Sequence, residues 1–239
     1  MGNTTTTQPG SSSVSNRRDQ RRRWPQGWLS QAAVIGSLLT PGISLAQEPV
    51  GRVSPWGSGS ADLILLGADG PIAIGSIAND GMVTLNLPAT VRATQPLGLV
   101  FGCNNSPEVS IDQPESRWIG TPSGIVVVRR AEQQPLGRLY PSTSARVAES
   151  LHDPTQQDTV PGRSYQWIYS ASGGRIQGSC TSGSASTSYA VQLQPGWTLI
   201  EWQVHSTAID ARGRRRSQHT SMRSLKGLPR DVVWTFLPD

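Results

Sequence analysis

Arg212-Gly213-Arg214-Arg215-Arg216 sets four guanidinium groups within five residues, and His219, Arg223 and Lys226 follow closely. A guanidinium is a permanently charged planar fork that matches the oxygens of phosphate, sulfate and carboxylate. On a hairpin tip, Arg212, Arg214, Arg215 and Arg216 would make a concentrated anion-binding patch. Acidic polysaccharide, lipid headgroups and nucleic acid are the polyanions to consider. Nucleic acid comes last, because no aromatic side chains interleave with the arginines to stack on bases. The plainer role for such a hairpin is to keep sheet edges from pairing with other chains.

Other reactive groups are sparse. No serine sits in Gly-x-Ser-x-Gly, the strained elbow that exposes a nucleophile. His152-Asp153, and His205 with Asp210, are the histidine–acid neighbours from which a hydrolase site would have to be built. Asp69-Gly70 and Asp80-Gly81 look like fragments of calcium loops, but one acid beside one glycine is ordinary turn chemistry. No closely spaced pair of carboxylates suggests glycoside chemistry. Tyr165, Trp167 and Tyr169 lie at strand spacing on one face. That stripe is either core or, if exposed, a platform for sugar rings. Catalytic residues, cofactor and metal are therefore all read as none.

The cysteines are two, Cys103 and Cys180. In an oxidising compartment they would form one bridge, and closing so long a loop stabilises by about 4 kcal/mol in the chain-entropy model. That compartment is itself legible. Arg17, Arg18, Arg21, Arg22 and Arg23 form a positive segment, followed by the apolar run Trp28 to Leu39. Pro41-Gly42 then breaks any helix, and Ser44 and Ala46 supply the small-x-small site. This is the order of a secretory signal, with cleavage expected after Ala46. The apolar run is too short and too polar to span about 30 Å of hydrocarbon, so no membrane anchor is expected in the mature protein. The expected location is periplasmic, cell-envelope or extracellular.

Charge supports this division. The whole chain carries a formal +5 with a pI near 9.9. Five of the 21 basic residues but only one of the 16 acids precede Gln47, which leaves the remainder near neutrality. Global charge therefore selects no partner, and a polyanion would have to be met by a local patch.

The elements that must position these residues read as strands. Ala61 to Leu66, Ile72 to Ile77 and Met82 to Leu87 are short apolar or alternating runs separated by Asp69-Gly70 and Asn79-Asp-Gly81. Leu97 to Phe101 is a further strand that leads to Cys103. Gly124 to Val128 and Leu136 to Tyr140 follow, with one short helix expected over 142–151. Residues 152–163 read as a loop. Ser164 to Ser170, Arg175 to Cys180, Ser188 to Leu193, Trp197 to His205 and Val232 to Phe236 complete the pattern, with a polar hairpin at 211–217. Strands spaced about ten residues apart point to an all-β antiparallel sandwich, Ig-like or transthyretin-like, over 47–239. Its two β halves, 47–103 and 124–239, would be tied by Cys103–Cys180.

Two stretches carry a resemblance. Ile72-Ala-Ile-Gly75, Asn79-Asp-Gly81 and the strand ending at Leu87-Pro88 form the first. Tyr165-Gln-Trp-Ile-Tyr169, Ile176-Gln-Gly178, Tyr189 to Leu193, Pro195-Gly-Trp197 and Leu228 to Trp234 form the second. Together they resemble small secreted bacterial β-sandwich proteins of unknown function, which are similar to carboxypeptidase-regulatory-like and transthyretin-like sandwiches. The resemblance implies secretion, a sandwich and an envelope setting, and it brings no catalytic residues. The function expected is a non-catalytic structural or interaction protein that contacts cell-envelope material. A secreted hydrolase and a polyanion binder using Arg212–Arg216 are the alternatives.

Overall fold

A computed structural model describes residues 49–96, 108–113, 115–153 and 155–239, all within one compact unit, Ser44–Asp239. The described residues form an all-β protein. Four strands open it: β1 (Gly51–Arg52), β2 (Ala61–Gly67), β3 (Gly70–Ile77) and β4 (Met82–Leu85). Three more precede a strand pair: β5 (Gln95–Pro96), β6 (Val109–Asp112) and β7 (Arg117–Gly120), then β8 (Ile125–Arg129) and β9 (Gln134–Ser142). The single described helix is α1 (Ala145–His152). After it come β10 (Gly162–Ser170), β11 (Gly174–Ser182), β12 (Ala185–Leu193), β13 (Gly196–Ile209), β14 (Arg215–Leu225) and β15 (Val233–Pro238). The strand expected at Leu97 to Phe101, and Cys103, lie outside the described residues.

The strands join into one mixed sheet, in the order β1-β4-β3-β2-β8-β9-β10-β13-β14-β12-β11-β6. β15 pairs with β9, and β7 bridges β5 and β10. Because β2 pairs with β8, the strands before residue 97 and those after 124 share hydrogen bonds directly. The expectation of a purely antiparallel sheet is corrected: β12 and β14 run parallel, Ser186 opposite His219 through Ala190 opposite Arg223, and an isolated bridge from Val53 to Trp234 is parallel too. The reason for the parallel pair is positional. β14 inserts between β13 and β12, which run antiparallel to each other, so it must be parallel to one of them. Beyond Ala190 the ladder is carried on by a side chain. Ser224 Oγ accepts from the Gln192 N–H at 2.7 Å and donates to its carbonyl at 2.8 Å.

Alternation explains the N-terminal strands. In β2, Ala61, Leu63 and Leu65 are buried while Asp62 and Ile64 are only partly covered, as a strand with one core face demands. Gly67 lies opposite Gly70, so Ala68-Asp69 is a two-residue hairpin loop. β10 departs from simple alternation. Every residue from Ser164 to Ser170 is buried. Tyr165, Trp167, Tyr169 and, on β13, Leu199 face one core. Ile168 and Ile200 face another, with Ile176, Val191 and Leu193. β10 and β13 are thus the wall between two apolar clusters. In the first, Trp167 stacks on Trp234 at 6.1 Å, and Tyr169 meets Trp197 edge-on at 5.4 Å. The aromatic stripe is therefore core, not an exposed sugar platform.

α1, Ala145–His152, overlaps the stretch 142–151 where one short helix is expected. Ser144 caps it by accepting from the Val147 N–H at 3.2 Å, and Val147 and Ala148 face inward. No helix among the described residues is long and apolar enough to cross a membrane.

Candidate functional site

The arginine-rich turn is organised by one carboxylate. Asp210 N–H donates to the Arg214 carbonyl at 2.8 Å, and Gly213 N–H donates to the Asp210 carbonyl at 2.9 Å. Gly213 has φ +75, the left-handed conformation a three-residue hairpin loop needs at its end. Asp210 Oδ1 accepts from the backbone N–H of Arg212 and Arg214, at 2.8 and 3.0 Å. Its Oδ2 meets the side chains of Arg214 and Arg216, at 3.2 and 3.3 Å. The backbone N–H of Arg214 first, then that of Arg212 and the Arg216 guanidinium, hold the Asp210 carboxyl down to about 2. The carboxylate is therefore ionised at any ordinary pH.

This divides the patch that the sequence presents as one. Strand alternation puts Arg214 and Arg216 on one side, where Asp210 takes up both. Arg215 turns to the other side, and Arg212 stands exposed at the tip. Neither Arg212 nor Arg215 enters an ion pair among the described residues.

Arg215 faces a groove of about 470 Å³ that no short-range pattern announces. Three elements wall it. The start of α1 supplies Ser144 and Arg146, the following loop supplies Thr159, and the hairpin strands supply Thr207 and Arg215. The walls are hydrogen-bonded to one another. Thr159 N–H donates to the Arg215 carbonyl at 3.0 Å, and Arg215 N–H donates to Asp158 Oδ1 at 2.7 Å. Val160 N–H donates to Ser150 Oγ on α1 at 3.3 Å. Arg146, like Arg215, has no ion-pair partner among the described residues. Thr159 is only 8% exposed, and its hydroxyl has no hydrogen-bond partner among them. The hydroxyl is not among the fully enclosed unpaired groups of the described residues, so it is open to the groove.

All three histidines lie beside serines. His152 Nε2 is 3.5 Å from Ser164 Oγ, His205 Nε2 is 2.7 Å from Ser221 Oγ, and His219 Nδ1 is 2.8 Å from Ser186 Oγ. No carboxylate among the described residues is hydrogen-bonded to any of the three. Asp153 instead closes a local turn, accepting from Thr155 N–H at 2.8 Å and from its hydroxyl at 2.7 Å. Asp210, the acid near His205 in sequence, is held in the hairpin. His152 lies flat against Tyr140, with centroids 4.0 Å apart, and burial pushes its imidazole down to about 4. A ring that weakly basic is poorly matched to proton abstraction near neutrality.

The remaining candidates resolve locally. Asp69 meets Arg92 at 2.9 Å and Asp80 meets Arg52 at 3.1 Å. No group of three metal-ligating side chains occurs among the described residues. Cys180 is buried on β11; its expected partner, Cys103, lies outside the described residues. The sequence reading missed Glu201. It is 2% exposed on β13, with Oε1 2.7 Å from Arg223 Nε and Oε2 3.9 Å from Arg163 Nε. One acid inside the apolar run Trp197 to Trp202 was the available signal. Arg146 and Thr159 had none, because only the fold brings them to Arg215. No family model, curated protein or solved structure matches the chain.

Proposed function

We propose that this chain is an exported, non-catalytic module of the cell envelope that holds anionic polymer at the basic end of its sheet. The observation that carries the reading is the unneutralised charge there. Arg212 at the hairpin tip, and Arg215 and Arg146 at the groove, have no carboxylate partner among the described residues. Fixed guanidinium groups of one sign draw polyanions and orient them.

Several features support the wider setting. Residues 1–46 read as a secretory signal, and the rest of the chain is near neutral with this patch included. Cys103 and Cys180 are paired in this reading, as an oxidising compartment favours. The β strands form an Ig-like or transthyretin-like sandwich. Two apolar clusters on opposite faces of β10 and β13 favour such layering.

Retention on phosphate- or sulfate-bearing resin tests the binding. The wild type elutes only as salt screens the charges. The triple variant Arg146→Gln/Arg212→Gln/Arg215→Gln should pass through at low salt. The charge-matched control Arg117→Gln/Arg175→Gln/Arg230→Gln should be retained like wild type. Equal elution of the two triple variants would remove the basic end as the binding surface.

A further inference from the structure

We propose that the groove beside α1 seats a single tetrahedral oxyanion, the phosphate or sulfate ester group of a polymer; this rests on the polyanion reading above. Three independent features converge on it. The first is charge. Arg146 and Arg215 come from segments far apart in sequence and turn toward one cavity with no carboxylate between them. Two cations lining one groove favour an anion between them.

The second is the hydroxyl of Thr159. Thr159 as a residue is more than nine-tenths buried, and its hydroxyl is open to the groove with no partner among the described residues. An oxyanion in the groove would replace water as the acceptor of this hydroxyl. The third is the start of α1. Ser144 Oγ occupies the Val147 N–H, while the N–H groups of the first two helical residues have no partner within the helix. They add partial positive charge at the same place.

One group opposes binding. The Asp158 carboxylate lies on the same loop, and its Oδ1 is turned to the Arg215 backbone N–H. It lowers the local charge and leaves a net positive site. A tetrahedral group fits better than a planar carboxylate, because helix, loop and hairpin approach from different sides. The volume of about 470 Å³ exceeds one oxyanion, so part of the esterified chain enters with it.

The test is binding of inorganic phosphate and of sulfate to the full chain, by calorimetry and by thermal shift at constant ionic strength. The wild type should bind both saturably, and chloride should do nothing. Arg146→Gln and Arg215→Gln should each weaken binding by at least about tenfold. Thr159→Val should weaken it several-fold. In anion-free buffer Thr159→Val should be at least as stable as wild type, and saturating phosphate should reverse that order. Arg212→Gln should lower resin retention and leave phosphate affinity unchanged. Should an arginine variant fail to fold, Thr159→Val and Arg146→Lys still decide the matter. Wild type that stays on the resin but shows no saturable phosphate effect overturns the seat alone. Wild type that neither stays on the resin nor binds phosphate overturns the polyanion reading as well. A Thr159→Val chain that binds phosphate like wild type also sinks the proposal.

Discussion

His152 shows how one side chain can be read two ways and settle on the less chemical of them. Beside Asp153 in sequence it suggests a base oriented by an acid. In the fold, its ring packs on Tyr140 while Asp153 folds back on Thr155. Burial disfavours the imidazolium, so the folded chain accepts this proton only near pH 4, against 6.5 for a free imidazole. The stabilisation is therefore complete above pH 6.5, declines as pH falls toward 4 and is exhausted below that. Its size is at most about 3 kcal/mol. His152→Phe keeps the stacking and removes the titration. Urea midpoints measured near neutrality and near pH 4.5 should fall less for this variant than for wild type, and parallel losses would contradict the assignment. At this scale the sequence was informative about turn residues such as Asp69 and Asp80. It was silent on Arg146 and Thr159, whose significance comes entirely from neighbours dozens of residues away.

Elements were more legible than sites, and the exceptions have a common cause. β2, β3, β4, β8, β12 and α1 appear where alternation, turn residues or the short helical stretch put them. β14 was not read as a strand because its outward residues are solvent-facing and its inward ones include Thr220 and Ser224 in place of large apolar groups. Such a strand is defined by its neighbours on both sides, not by its own composition. Glu201 is its main electrostatic tie to β13, facing Arg223 across the pair. The arginine is 54% exposed, so solvent screens part of the interaction. Arg223→Ala should cost about 2 kcal/mol, less than the loss of a fully buried partner, because Arg163 remains near the carboxylate. Adding Glu201→Gln should return about half of that cost. A double-mutant cycle by urea unfolding measures the coupling. Strictly additive losses would show that the pair contributes nothing.

The molecule as a whole is joined by its shared wall. Leu139 belongs to the first cluster and Ile200 to the second, and both are completely buried. Replacing either by Ala should cost about 2–5 kcal/mol. Because β10 and β13 have one face in each cluster, the two cores cannot melt separately without splitting a strand pair. Calorimetry and tryptophan fluorescence should therefore give one coincident transition for wild type and for both variants. Two resolved transitions would mean that the wall does not couple the cores. None of this division into two clusters was visible in the sequence. Tyr165, Trp167 and Tyr169 marked one face of β10, and Ile168 alone hinted that the other was buried as well.

The insertion of β14 has a consequence for how the polypeptide comes into being. β12 ends at Leu193 and β13 begins at Gly196, yet these strands stand two sheet positions apart. Gln194-Pro195 must stride roughly 10 Å over a gap that stays empty until residues 215–225 arrive to fill it. Trp234, deep in the other cluster, is supplied later still. A chain growing from the ribosome thus leaves β12 and β13 without the strand that joins them until nearly all of it has been made. Until then this part of the sheet cannot close, so the native pairing of β12, β13 and β14 is a late, post-synthetic event.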